Sequence, residues 1–554
     1  MNTNTRHFKQ LLTVLLIVAV TITMCFTITS NSYASDLTSP RTLQLEVDNN
    51  TAVSIRAYRA SYEWNYFVSL RDFAQALNGT AKQFNVTYDK ESGTTDIETG
   101  KPYVATGTEG KTDNMKEQWS SSKVADLTIN GNKVKYVVYT IDDEIYIKLA
   151  SLAPALDINV AYNKTKSAFV VDSTKGFTVD IKTLDKNGYF SFLHGTIVGN
   201  AKTGKVLYSN NATNKAAIAS TTKIMTYLLV KEAMDKGKLS MDDTVKLSKN
   251  VEAESLSEDG TIAMKEGQEV KVEDLVKAML VFSSNEAALA LAENVSGSSE
   301  AFVKQMNAKA KSLGMTTAKY YNPHGLPTYT SDTLTAKRQN QMCAKDLFIL
   351  SRYVINKYPE ILDITSQKEV SVPTLNYSGT STNRLLYNMA SDGVEGLKTG
   401  STNRAGSCLV AVMPVKVGSS TQKVIAIVMG AEDTAEQAEK TGVLLKYAKQ
   451  YYTAQNAKID NIKKVKITTK VSVKTKYAKV TFTTNGYNAD KYKVYRSTSK
   501  SKGYKCIKTV STKSLKDERV TKGKTYYYKV KGYNVANGSK YYSKTSNVVK
   551  ATIK

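Results

Sequence analysis

The chain has 554 residues and a formal net charge of +26, from 76 Lys and Arg against 50 Asp and Glu. Its four cysteines are too few and too scattered for a disulfide framework, and no Cys/His cluster has metal-ligand spacing, so neither a stapled scaffold nor a metal site is expected. A strongly basic chain ordinarily points to nucleic acid, but the N-terminus argues against that partner. Arg6, His7 and Lys9 form a basic region, and Leu11 to Ile28 an apolar stretch broken by threonines. Ser32-Tyr33-Ala34 is a small-x-small site before Ser35. Residues 1–34 therefore read as a cleaved signal peptide, with an uncleaved anchor as the alternative because the apolar run approaches spanning length. No later segment is long and apolar enough to span a membrane, so the protein is expected to be exported, and nucleic acid is set aside.

Residues 36–180 carry a weak internal repeat. Tyr66 to Leu77, followed by Val86-Thr87-Tyr88, is echoed by Ile145 to Leu156, followed by Val160-Ala161-Tyr162. Each copy reads as strand, short helix, strands. The segment resembles the α+β module named after the N-terminal domain of copper amine oxidases; that resemblance implies substrate or wall presentation, or a plain spacer, and no copper.

Three motifs then follow in order: Ser220-Thr221-Thr222-Lys223, Ser283-Ser284-Asn285 and Lys398-Thr399-Gly400. Singly they are weak. Ser120 to Lys123 and Ser497 to Lys500 also fit S-x-x-K, Lys202-Thr203-Gly204 fits K-T-G, and Ser401-Thr402-Asn403 fits S-x-N. Context separates them. Ser220 follows a predicted strand, Lys205 to Tyr208, and opens the apolar run Ile224 to Val230, which reads as a buried helix beginning at Ser220. Residues three apart on a helix share a face, so the Ser220 hydroxyl and the Lys223 amine can meet. A serine needs a base to become a nucleophile, and a lysine serves as one only with a pKa lowered by burial or a nearby cation; Lys398 is a candidate for that cation. Taken alone, Ser220 would read as a helix cap and Lys223 as a surface residue. Ser283 and Asn285 fall at a junction between two apolar helical stretches. Lys398 to Gly400 precedes a buried strand, Ser407 to Met413, and is expected on a strand whose edge can pair with an extended substrate.

With these motifs stand Val272-Glu273-Asp274-Leu275, Leu313-Gly314-Met315, Asn322-Pro323-His324-Gly325-Leu326-Pro327 and Ala405-Gly406. On them, residues 190–452 resemble the serine-type D-Ala-D-Ala carboxypeptidases, the low-molecular-mass penicillin-binding proteins of peptidase family S11. The resemblance implies an α/β/α sandwich of the β-lactamase/DD-peptidase type, with no cofactor. It implies Ser220 as the acylated nucleophile, Lys223 as its base, and Ser283 and Asn285 as proton-relay and substrate-amide positions. Lys398 becomes an electrostatic and relay lysine, Thr399 a carboxylate contact, and the backbone N–H groups of Ser220 and Ser401 the oxyanion hole. His324 is expected to shape its loop.

Two departures stand out. Many members carry an arginine shortly after the pair equivalent to Met429-Gly430; here the stretch reads Ala431-Glu432-Asp433-Thr434, and Arg404, behind Lys398-Thr399-Gly400-Ser401, is the expected substitute. No Glu-x-x-Leu-Asn segment lies between Ser283 and Lys398, so efficient β-lactam hydrolysis is not expected.

The last region, 461–554, holds 25 Lys and Arg against three acids (Asp490, Asp517, Glu518), or +22 of the chain's +26. Alternating runs such as Lys491 to Arg496 and Thr525 to Lys531 read as a β-sandwich resembling a fibronectin type III domain. A charge so concentrated is expected to meet anionic wall polymers; a merely solvated lysine surface is the alternative. The fold class expected is thus multidomain: a small α+β module, a DD-peptidase sandwich and a basic β-sandwich. The expected activity is an exported serine DD-carboxypeptidase acting on peptidoglycan stem peptides and acylated by β-lactams. A DD-endopeptidase and a non-catalytic β-lactam- or muropeptide-binding wall protein are the alternatives.

Overall fold

The computed structural model describes residues 35–60, 66–112, 115–330 and 333–554. The signal peptide expected over 1–34 lies outside the described residues. Among those described, no helix is long and apolar enough to cross a membrane. The chain forms two compact units. One runs to Thr178 and includes Tyr387–Ala390; the other comprises Val179–Leu386 and Ser391–Lys554.

The first unit is built on a repeated strand–helix–strand–strand pattern. Tyr66–Ser69, Leu70–Ala76, Phe84–Asp89 and Thr94–Thr99 form one copy; Glu144–Lys148, Leu149–Ala155, Asn159–Asn163 and Ala168–Asp172 form the other. The leading strands pair antiparallel, with Val68 opposite Ile147. Both helices bury the same i, i+3, i+4, i+7 stripe: Leu70, Phe73, Ala74 and Leu77 in one, Leu149, Leu152, Ala153 and Leu156 in the other. Identical apolar spacing is what makes the two copies fold alike. The Arg56 guanidinium is buried against Asp72, 2.7 Å away, which satisfies both charges inside this unit.

The second unit centres on a five-stranded antiparallel sheet. Its strands are β1 (Gly195–Asn200), β2 (Val206–Asn210), β3 (Gly396–Thr402), β4 (Gly406–Val417) and β5 (Ser420–Ala431), in the order β2-β1-β5-β4-β3. Continuous apolar runs mark β4 and β5 because both of their faces are covered. Cys408, Val410 and Val412 of β4 and Ile425, Ile427 and Met429 of β5 join one core with helix α1 (Lys223–Asp235) and the helix Ala344–Lys357. The residues between them point the other way, where helix α3 (Thr434–Lys464) packs on β4 and β5. Helix α2 (Asn285–Ser296) lies in the helical layer against α1.

Helix α3 is 31 residues long and continues straight through residues 452–461, where the sequence suggested a boundary. Its last turns contribute Ile462 to the core of the basic region, and the Lys458 carbonyl accepts a hydrogen bond from Asn534. That region has two sheets around one apolar core. Strands β6 (Ile467–Lys474), β7 (Tyr477–Thr484) and β10 (Ser514–Asp517) form one. Strands β8 (Lys491–Ser497), β9 (Lys505–Val510), β11 (Thr525–Ala536), β12 (Ser539–Tyr542) and β13 (Val549–Thr552) form the other, in the order β9-β8-β11-β12 with β13 on β11.

Candidate active site

Ser220 sits in a single 3-10 turn, Ala219–Thr222, and α1 proper begins at Lys223, three residues later than its sequence suggested. The turn is entered through Ala219 at φ 46°, a left-handed value uncommon for a residue with a Cβ. Such strain persists only where the surroundings fix it. Here Gly325 closes on it: a Cβ at Gly325 would lie 2.0 Å from the Ala219 carbonyl oxygen. The tight turn, not a full helical turn, brings the Lys223 ammonium to the Ser220 hydroxyl.

Lys223 is fully buried, and its Nζ has three oxygen neighbours. It lies 2.9 Å from Ser220 Oγ, 2.7 Å from Asn285 Oδ1 and 3.0 Å from the His324 carbonyl oxygen. Burial holds its pKa well below the usual lysine value, and the Lys398 cation pushes the same way; Glu286 and Glu254 oppose them. Lys398 is also buried, at 1% exposure, and burial brings its pKa down to about 7. Its Nζ donates to the Thr399 carbonyl, 2.9 Å away. Two lysines stripped of water in one cleft resist being charged together, which is the condition a lysine base requires.

Asn285 is the first residue of α2, and Ser284 caps that helix by accepting from the Ala287 N–H. The preceding π-helical turn, Ala278–Phe282, ends on Ser283 in the left-handed conformation at φ 66°. Asn285 is thereby aimed at Lys223, and its Nδ2 donates 2.9 Å to the Asp259 carbonyl on the neighbouring loop. Ser283 is half-buried; its hydroxyl makes no hydrogen bond among the described residues, so the structure does not join it to Ser220 or Lys223 as it joins Asn285.

The third motif lies on β3, the edge of the sheet, against the Ser220 turn. Gly400 explains why a glycine is needed. A Cβ there would stand 2.7 Å from the Ser220 amide nitrogen and 2.9 Å from that of Thr221. The backbone of the strand and that of the turn are in direct contact. Thr399 Oγ1 is 2.6 Å from Thr382 Oγ1, and Ser401 Oγ is 2.9 Å from Ser407 Oγ, across the ladder on β4. Arg404 is exposed in the turn between β3 and β4. Asp433 spends its carboxylate on capping α3, accepting from the Ala435 and Glu436 N–H groups at 2.7 Å each, so its charge is already engaged.

Several contributors lie outside the three short motifs. His324 is buried and burial pushes its pKa down to about 3, so it is neutral at any ordinary pH; it supplies a carbonyl to Lys223, and its Nδ1 accepts from the Leu326 N–H. Asn340 donates to Thr222 Oγ1 and to the Asn322 carbonyl and accepts from the Tyr321 N–H, tying the 321–325 loop to the Ser220 turn. Glu286, fully buried beside Asn285, accepts the N–H groups of Thr261 and Ile262. The place of Glu286 next to Asn285 was a usable hint; Asn340 and Thr382 had none, because they are brought in from elsewhere in the chain. Among the described residues no group of three or more His, Cys, Asp or Glu side chains is arranged to hold a metal ion.

Residues 194–433 match the family profile described as D-alanyl-D-alanine carboxypeptidase, peptidase S11. The D-alanyl-D-alanine carboxypeptidase DacF of Bacillus subtilis is 36% identical over 253 residues, which is 45% of this chain and 60% of that protein. A D-alanyl-D-alanine endopeptidase of Pseudomonas aeruginosa is 32% identical over 216 residues, 39% of this chain and 64% of that protein. Among solved structures, Penicillin-Binding Protein D2 from Listeria monocytogenes in a cefotaxime-bound form aligns with TM-score 0.39 and 33% identity, over 46% of this chain and 96% of its own. The chain spans 59–61% of the length of the first three curated carboxypeptidases it matches.

Proposed function

The catalytic unit, residues 194–433, belongs to the peptidase S11 family of D-alanyl-D-alanine carboxypeptidases, and on that premise we propose that this chain is an exported serine DD-carboxypeptidase of the cell wall. It takes the terminal D-alanine from peptidoglycan stem peptides. The observation that carries the reading is the contact of buried, low-pKa Lys223 with Ser220 Oγ at 2.9 Å.

Neutral Lys223 accepts the Ser220 proton as Oγ attacks the carbonyl carbon of the D-Ala-D-Ala bond. The oxyanion of the tetrahedral intermediate lies between the backbone N–H groups of Ser220 and Ser401, a reading supported by the close packing of Gly400, the residue before Ser401, on the Ser220 turn. Collapse breaks the C–N bond. The leaving amine takes a proton through Lys223, with Ser283 and Lys398 as the relay, and free D-alanine departs. Water then attacks the acyl-Ser220 ester and releases the shortened peptide. Asn285 orients the substrate amide and Lys223 together, while Thr399, Ser401 and Arg404 receive the terminal carboxylate. A β-lactam enters by the same attack; its ring amide opens and no leaving group departs, so the acyl-enzyme persists.

Incubation with a soluble pentapeptide ending in D-Ala-D-Ala, with free D-alanine assayed, tests the reading. Wild type should release D-alanine and take a fluorescent penicillin covalently; Ser220→Ala should do neither. A penicillin adduct on any other residue would sink the assignment. A DD-endopeptidase is the second reading, because related proteins of Pseudomonas aeruginosa and Escherichia coli bear that name and no arginine follows Met429-Gly430 here. Muropeptide products from intact wall separate the two. The basic region 461–554 is read as a holdfast for anionic wall polymers.

A further inference from the structure

The five-stranded sheet of the basic region turns one face to the core and the other to solvent. Strand β11 sorts its side chains by alternation: Tyr526, Tyr528 and Val530 are buried, while Tyr527, Lys529 and Lys531 point outward. The ladder sets Lys493 directly opposite Lys531, and Tyr495 opposite Lys529. Beyond β11, Tyr542 faces Tyr533 and Lys550 faces Tyr527. The outward face is therefore a lattice of lysines and tyrosines.

No acid interrupts it. Of the three carboxylates in 461–554, Asp517 is buried against Arg496 and the Tyr528 hydroxyl, and Glu518 pairs with Lys516 at 2.6 Å. Asp490 stands at the rim, 3.4 Å from the Val535 N–H. The lysines rest on rings instead: Lys529 is 3.9 Å from the centroid of Tyr504, Lys531 is 5.1 Å from Tyr542, and Lys540 is 5.5 Å from Tyr533. Like charges directly across a ladder destabilise a sheet, and a surface shaped for solubility alone mixes both signs. A face that sets Lys493 against Lys531 without a nearby acid accepts that cost for a ligand of opposite charge. The tyrosines add flat apolar faces of the size of a sugar ring, with hydroxyls at their edges.

We propose that this face binds an anionic wall glycopolymer, its phosphate or carboxylate groups on the lysines and its sugar rings on the tyrosines. The choice of a wall polymer rests on the carboxypeptidase reading above. The probes are a purified poly(ribitol phosphate) bearing N-acetylglucosamine, inorganic polyphosphate of matched charge, and a single-stranded oligothymidylate, each titrated against the full chain. Wild type should bind the glycopolymer most tightly, and less so as salt rises. Lys493→Glu, Lys529→Glu and Lys531→Glu together should weaken it about tenfold or more. The charge-matched set Lys470→Glu, Lys474→Glu and Lys479→Glu, on the other sheet, should change it little. Tyr527→Ala with Tyr542→Ala should weaken the glycopolymer by about three- to tenfold, the order of an aromatic contact, and leave polyphosphate unchanged. If the glutamate set fails to fold, Lys→Gln at the same three positions replaces it. Equal losses from both lysine sets, equal losses of both polymers from the tyrosine pair, or tighter binding of oligothymidylate would each overturn the proposal. Hydrolysis of soluble pentapeptide is read in parallel and should be untouched by every variant. Polymer binding without D-alanine release would refute the carboxypeptidase reading alone; release without polymer binding would refute this one alone.

Discussion

Gly400→Ala tests the site through one methyl group. Gly400 does not sit at positive φ, so alanine meets no backbone penalty there, and the effect is purely one of space. The new Cβ would lie 2.7 Å from Ser220 N, 2.9 Å from Thr221 N and 3.2 Å from Ala219 Cβ. Ordinary contact begins at 3.4 Å, so strand and turn must part by about 0.7 Å. The neighbours are backbone atoms of a turn already fixed by Gly325, and neither side can swing away as a long side chain would. The displacement falls on the Ser220 and Ser401 N–H groups and on the approach to Ser220 Oγ. Misplacing reacting groups by such a distance, or losing one oxyanion donor, costs about a hundred- to a thousandfold in rate. Overpacking of this size costs about 1–3 kcal/mol of stability, which leaves the chain folded. The assay is the second-order rate of acylation by a fluorescent penicillin, with thermal unfolding in parallel. Acylation within twofold of wild type, in a protein of unchanged melting temperature, would show that the contact between β3 and the Ser220 turn has no part in the chemistry.

Acylation should be bell-shaped in pH: the acid limb reports neutral Lys223, and the alkaline limb reports loss of the Lys398 cation near pH 7, so Lys398→Arg should move only the alkaline limb upward; a flat profile between pH 6 and 9 refutes this, those limits being taken about one unit or more on either side of that value. Lys398 is brought from the ordinary 10.5 to about 7 in the folded state, so between those values unfolding takes up a proton and stability rises with pH. Lys398→Met should therefore melt a few degrees higher than wild type near neutrality while losing activity, the gain shrinking toward alkaline pH; no gain at neutrality would mean that burial of the amine costs nothing. Arg404→Ala should lower turnover of peptides with a free terminal carboxylate about tenfold and barely affect an amidated analogue, and equal losses on both would make Arg404 structural. In a chain beginning after residue 34, a maleimide should label Cys506 alone under native conditions, because Cys343 and Cys408 are buried and burial raises the Cys408 thiol to about 12; mass spectrometry of a second modified thiol would contradict the packing around β4.

The sequence by itself singled out the residues proposed here to hold the chemistry, because S-x-x-K, S-x-N and K-T-G are short-range codes read in order and local context. It also marked the sheet, since runs such as Leu409 to Met413 must be covered on both faces. The decoys show where short-range codes stop. Ser120 and Lys123 lie on the strand Gln118–Val124, where residues three apart point to opposite faces and cannot meet. Lys202-Thr203-Gly204 occupies the turn between β1 and β2, with Gly204 at φ 73°, away from any serine nucleophile. Local sequence context sets these apart from Ser220 and Lys398, and packing gives the physical reason. The low pKa of Lys223 is likewise no property of its neighbours in sequence; it comes from burial under α2 and the 322–325 loop, with Lys398 delivered on an edge strand. The departure at residues 452–461 has the same origin. In sequence the catalytic region reads as ending at 452 and the basic region as beginning at 461, yet α3 runs through that interval: Ile459 is buried, and Ile462 finds an apolar core to enter only once the C-terminal sheets have formed. Periodicity and spacing act over a few residues, whereas desolvation and the meeting of three distant segments depend on what the rest of the chain places around them.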